Sequence, residues 1–131
     1  MAINVTKLEM TLQEFVANVG NVQGAAIVSP DGLSLASSLA PGMDDERVAA
    51  MSAAMLSLGE RIGRELNRGE IERILVEGQK GYGILTSCTE EAVFLVLTDR
   101  NAKLGIINLE IKNVIEELRK QLLGLAQPIG L

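Results

Sequence analysis

Ala92-Val93-Phe94-Leu95-Val96-Leu97 carries an apolar side chain at every position. An extended segment that is apolar on both faces reads as a central strand covered above and below, so the chain needs helices on both sides of a sheet. Two further extended segments precede it, Ile71 to Glu77 and Tyr82 to Cys88, and this run ends at Thr98. The breaks Gly78-Gln79-Lys80-Gly81 and Thr89-Glu90-Glu91 are short and turn-rich, which predicts an antiparallel meander.

On the C-terminal side a helix is expected from about Asn101 to Leu123, with Leu104, Ile107, Ile111, Val114, Ile115, Leu118 and Leu122 on one stripe. On the N-terminal side Asp44, Asp45 and Glu46 supply a cap and negative charge suited to a helix start. That long helix is expected to reach about Asn67, with Gly69 as its stop. Before it, Gly24 to Ser29 and Leu33 to Ser37 read as a hairpin around Pro30-Asp31-Gly32. The first helix has Thr6 as N-cap with Glu9 three residues on, then Leu8, Leu12, Phe15, Val16 and Val19 at helical spacing up to Gly20. The order α-β-β-α-β-β-β-α predicts an α/β fold with a five-stranded antiparallel sheet between helices. One domain spanning residues 1–131 is expected, with its core at about 7–123 and a loose tail over 124–131.

Composition narrows the chemistry. The 131 residues are 47% hydrophobic and 22% charged, ordinary values for a globular chain. There is no histidine and one cysteine, which removes Ser/His/Asp triads, Cys/His dyads, and His- or Cys-rich zinc sites. Cys88 reads as a small buried or turn residue, since no histidine can activate it. A net charge of −5 and three aromatic residues, Phe15, Tyr82 and Phe94, argue against nucleic acid as a partner. The start does not read as a secretory signal. The longest charge-free stretch, Phe15 to Pro30, contains Asn18, Asn21 and Gln23 and falls short of the roughly 20 apolar residues of a membrane span. A cytoplasmic protein without membrane insertion is expected. Gly78-Gln79-Lys80-Gly81 is too short and wrongly placed for a phosphate loop, so no bound nucleotide is expected, and with one cysteine, no histidine and acidic pairs that read as structural, neither is any other cofactor or metal. Asp44-Asp45, Glu90-Glu91 and Glu116-Glu117 read as helix-start charge, turn solvation and a wet helix face.

The long helix is the informative element. Its projection places Val48, Met51, Ser52, Met55, Leu58, Gly59, Ile62 and Leu66 on one face, expected to lie on the sheet. Opposite stand Ala50, Ala53, Ala54, Ser57, Glu60, Arg61, Arg64 and Arg68. The small residues admit another helix to about 8 Å; equally, alanine sits exposed in a helix without cost. The arginine row reads either as a solvated face or as a positive rim for an acidic or phosphate-bearing partner.

Several local sequences, in this order of elements, resemble the roadblock/dynein light-chain family, particularly its bacterial MglB-like branch. They are Gly24 to Leu33, Ser57 to Leu66, Val76-Glu77-Gly78, Gly81-Tyr82 and Lys103-Leu104-Gly105, and the resemblance runs from about Leu8 to Leu122. It implies a roadblock/longin-like fold and a homodimer whose two sheets join edge to edge, with Ile71, Arg73, Ile74, Leu75 and Val76 on the joining strand. It also implies a non-enzymatic protein that binds a Ras-like small GTPase of the MglA kind and stimulates its GTP hydrolysis, without a catalytic residue of its own. Ala50, Ala53, Ala54, Ser57, Arg61 and Arg64 are then expected in or near the helix–helix and GTPase contacts. The alternative within the family is a scaffold dimer that tethers partners without affecting hydrolysis. From outside it comes a small-molecule sensor, for which the apolar strands give little sign of a pocket.

Overall fold

The computed structural model describes residues 3–124. Among them the order is α1 (Val5–Asn18), β1 (Val22–Val28), β2 (Ser34–Ser38), α2 (Asp45–Glu65), β3 (Arg73–Gly78), β4 (Gly81–Thr89), β5 (Ala92–Thr98) and α3 (Leu104–Leu123). This is the α-β-β-α-β-β-β-α order expected, in one five-stranded sheet. Residues 125–131, most of the expected loose tail, lie outside the described residues.

The sheet order is β2-β1-β5-β4-β3 and every neighbouring pair is antiparallel. The all-apolar segment is therefore the middle strand, and its alternation divides the core in two. Ala92, Phe94 and Val96 join the cluster formed with Leu8, Leu12 and Phe15 of α1 and Ile107, Ile111, Ile115 and Leu118 of α3. Val93 and Leu95 join Ala26, Val28 and Leu85 beneath Val48, Ala49 and Leu56 of α2. Phe15 meets Phe94 edge to face at 5.4 Å.

Element ends differ from expectation where a polar side chain competes for the backbone. Asn4, not Thr6, caps α1: its Oδ1 accepts from Lys7 N at 3.0 Å, two residues earlier than the Thr6–Glu9 reading. Asp44 caps α2 as expected, accepting from Glu46 N. That helix stops at Glu65, short of Asn67, because Asn67 takes a left-handed conformation (φ 56°) and the Gly63 carbonyl accepts from both Arg68 N and Gly69 N. The last helix starts at Leu104 because Asp99 Oδ1 holds Asn101 N at 2.8 Å in a turn. Ile71 precedes β3 rather than lying in it.

The larger correction concerns how α2 is turned. Its sheet-facing residues are Val48, Ala49, Ser52, Leu56, Gly59 and Gly63, while Met51, Leu58, Ile62 and Leu66, expected on the sheet, are 52–63% exposed. The glycines explain this. A Cβ at Gly59 would lie 2.6 Å from Ile74 Cδ1, and one at Gly63 would overlap the Gly69 carbonyl oxygen. Those positions bring the helix backbone down onto β3 and the chain leading into it, and the bulky stripe beside them is left outside. Gly63→Ala therefore costs on the order of 1–3 kcal/mol, readable as a lower urea midpoint with unchanged slope.

Candidate partner-binding surface

Three neighbouring features make up the surface around α2, and each follows from that orientation. The first is the edge of the sheet. β3 pairs with β4 from Arg73↔Thr86 to Gly78↔Gly81, and its other edge has no strand partner among the described residues. Leu75 and Val76 are 45% and 49% exposed. A free edge with apolar side chains is a template for pairing with another chain.

The second feature is the exposed stripe of α2. Met51, Met55, Leu58, Ile62 and Leu66 recur at spacings of three and four, so they form one continuous seam beside the buried one at Ala49, Ser52, Leu56, Gly59 and Gly63. Met55 is half-buried and the other four exposed. A helix with two adjacent apolar seams has one more than the sheet beneath it uses. Between the first half of this seam and the sheet runs a groove of about 590 Å³, lined by Met43, Met51, Met55, Val76, Tyr82 and Leu97 among others. Its floor depends on Gly81, where a Cβ would overlap the Thr98 carbonyl oxygen.

The third feature is the small-residue face. Ala50, Ala54, Ser57, Arg61 and Arg64 are exposed as expected. Ala53 is half-buried instead, because a Cβ on Gly32 would stand 3.8 Å from its Cβ: the β1–β2 turn comes down beside it. That turn is held by Ser29, whose Oγ accepts from Leu33 N at 3.0 Å and whose backbone bonds to Gly32 and Leu33. Arg61 Nε donates to Glu65 Oε2 at 2.9 Å, so its charge is matched on the helix surface. Of the joining-strand residues, Arg73, Leu75 and Val76 are exposed on β3, Ile74 is half-buried under Gly59, and Ile71 lies outside the strand beneath Gly63.

Met51, Leu58, Ile62 and Leu66 are the surface residues that sequence reasoning misplaced. The available signal was the pair of parallel seams, one small and one bulky, of which the projection took the bulkier for the buried one.

Cys88 and the acidic residues Asp44, Glu90 and Glu91 have the structural roles expected of them. Cys88 is buried, and that burial pushes its thiol up to about 11 against a smaller opposing effect of the Arg119 charge. Arg119 Nε donates to the Cys88 carbonyl at 2.8 Å, which ties α3 to β4. Asp44 is a cap, and Glu90-Glu91 form the β4–β5 turn with Glu91 N donating to Thr89 Oγ1. Among the described residues no helix is long and apolar enough to cross a membrane.

Residues 8–98 match the family model described as the Roadblock/LC7 domain. The uncharacterized protein MJ1340 of Methanocaldococcus jannaschii is 33% identical over 98 residues, which cover 75% of this chain and 85% of the relative. In three dimensions the chain is similar to Myxococcus xanthus MglB, with a TM-score of 0.86 at 20% identity over 98% of this chain and 97% of that one. A second MglB structure, described as having a tetrameric arrangement, matches with a TM-score of 0.78 at 18% identity over 89% of this chain and 88% of that one. The five-stranded, three-helix architecture is thus that of the roadblock fold.

Alkylation of Cys88 in the folded protein is expected to be slow at pH 8 and to rise only towards pH 11, since the neutral thiol prevails below its raised pKa. A reaction midpoint near the ordinary 8.5 of a free cysteine would contradict this assignment.

Proposed function

The chain belongs to the Roadblock/LC7 family, and on that premise we propose that it is a single-domain, non-enzymatic cytoplasmic homodimer that binds a Ras-like small GTPase and modulates its nucleotide state by stimulating GTP hydrolysis. The observation that carries the reading is the second apolar seam of α2 running beside the free edge of β3. Four large apolar side chains of one helix and two of one strand keep 45–63% of their surface in water, which forgoes roughly half of the 1.5–3 kcal/mol that full burial of each would contribute.

A second copy related by a two-fold axis covers both features at once. The β3 strands continue the sheet across the axis, and the α2 helices lie antiparallel over the join. Ile62 and Leu66 of one copy then reach the groove at Met51, Met55 and Val76 of the other. Methionines suit such a seam because their unbranched side chains adjust to the partner.

With the seam so occupied, Ala50, Ala54, Ser57, Arg61 and Arg64 remain on the outer face. Small side chains let another protein approach the helix closely, and the arginines supply directional donors. A GTPase held there gains from positioning: a surface that orders the GTPase's own water-orienting groups lowers the barrier without adding a base or nucleophile. The family resemblance supports the GTPase as partner.

Leu58→Asp is expected to convert the dimer to a folded 14.0 kDa monomer by light scattering, because the residue is exposed in the single chain. Mass unchanged from a dimer would remove the seam from the interface. For the partner, the affinity for a Ras-like GTPase of the same genome is measured with GDP and with a non-hydrolysable GTP analogue. A preference of at least tenfold for the GTP form, about 1.4 kcal/mol, together with its loss in Ala50→Arg at unchanged dimer mass, is the expected outcome. Equal binding of both forms favours a tethering scaffold.

A further inference from the structure

On the flank of α2 away from the exposed seam, the helix and two strand turns enclose a hollow of about 790 Å³. Glu60 and Arg64 line it and lie two positions from Leu58 and Ile62, about 200° around the helix. Its apolar parts include Leu56, Ile71 and Val93; the β1–β2 turn contributes Pro30 and the β4–β5 turn Thr89 and Glu90.

The charges around this hollow are uneven. Glu60, Glu70 and Glu90 line it with Arg64 as the one cation. The ion pairs among the described residues, Arg61–Glu65 and Glu116–Arg119, involve none of these four. Three carboxylates and one guanidinium around a floor of mixed polar and apolar residues present a net negative rim. A cavity that combines apolar lining with convergent polar groups has the make-up of a binding site, and here the sign of the rim selects what enters it.

We propose that this hollow is a second contact site for the GTPase partner and takes a segment of that protein bearing lysine or arginine, its aliphatic stem against Pro30 and Ile71 and its charge among Glu60, Glu70 and Glu90. The proposal rests on the GTPase reading above. Continuity supports it: Arg64 belongs both to the outer face of α2 and to the hollow, so one partner lying on that face reaches the opening. The position on the far flank also keeps the hollow clear of the seam assigned to the second copy. Loop segments on both sides of it are anchored: Ser29 holds the β1–β2 turn, and Thr89 Oγ1 accepts from Glu91 N in the β4–β5 turn. The partner then meets a rim that needs little ordering on binding.

The test compares the intact protein with the charge-reversed variant Glu60→Lys/Glu90→Lys and the neutral variant Glu60→Gln/Glu90→Gln, both altered at exposed positions. Binding to the GTP-analogue form of the GTPase is measured from 50 to 300 mM salt. The expected result is a graded loss, at least tenfold for the lysine variant and smaller for the glutamine variant. The salt dependence should be flatter than that of the intact protein, and the dimer mass unchanged. Glu14→Lys/Glu116→Lys, at exposed positions of α1 and α3, serves as a control of equal charge change away from the hollow. If the intact protein binds the GTPase and the lysine variant binds equally well, or the Glu14→Lys/Glu116→Lys control weakens binding as much, the hollow is not a contact site and the GTPase reading stands. Failure of the intact protein to bind in either nucleotide state removes the GTPase reading and this proposal with it.

Discussion

The close approach of α2 to the β3 side of the sheet, through Gly59 and Gly63, sets the character of the molecule's surface. A side chain at Gly63 would force the helix to lift or roll, because the Gly69 carbonyl already occupies the space, and one at Gly59 would have to displace the end of the Ile74 side chain. Seated on its small residues, α2 turns Met51, Leu58, Ile62 and Leu66 outward along the side of the sheet edge where Val76 lies, while Leu75 faces the other side of the sheet. The exposed seam is thus the other side of the contact that holds the helix down.

The same seating divides the helix into three sectors with different surroundings. The bulky seam faces the side of the open strand β3. The alanine and arginine sector faces outward, and the Glu60–Arg64 flank borders the hollow between the strand turns. Because positions 57 to 64 contribute to every sector, a substitution in this one helix meets the sheet, the exposed seam or the hollow according to which side of the helix it occupies. The opposite face of the sheet is a more conventional core: α1 and α3 bury Leu8, Leu12, Phe15, Ile107, Ile111, Ile115 and Leu118, and β5 supplies Phe94 between them.

Much of the architecture was legible in the residues because it rests on local pattern. The apolar run at Ala92 to Leu97 required cover on both faces, and it is the central strand; the α3 stripe from Leu104 to Leu122 is the one that packs. The capping of α1 was misread by one or two residues because Asn4 and Thr6 both carry a side chain able to accept from the first turn, and the choice depends on which backbone enters the helix. α2 ends ahead of the stop expected at Gly69 because Asn67 already takes a left-handed conformation, which asparagine tolerates.

The sequence by itself determined the order of elements, the two-sided burial of the middle strand and the absence of histidine-dependent chemistry, since strand alternation, helix periodicity and residue identity are properties of short stretches of chain. Tertiary structure alone decided which of two adjacent apolar seams on α2 meets the sheet. Both seams repeat with helical spacing and hydrophobicity favours the bulkier one, yet burial goes to the seam whose shape fits. Here the fit is set by Ile74, Ile71 and the Gly69 carbonyl, which the chain brings under Gly59 and Gly63 only after it has passed the end of the helix and turned back along the sheet edge.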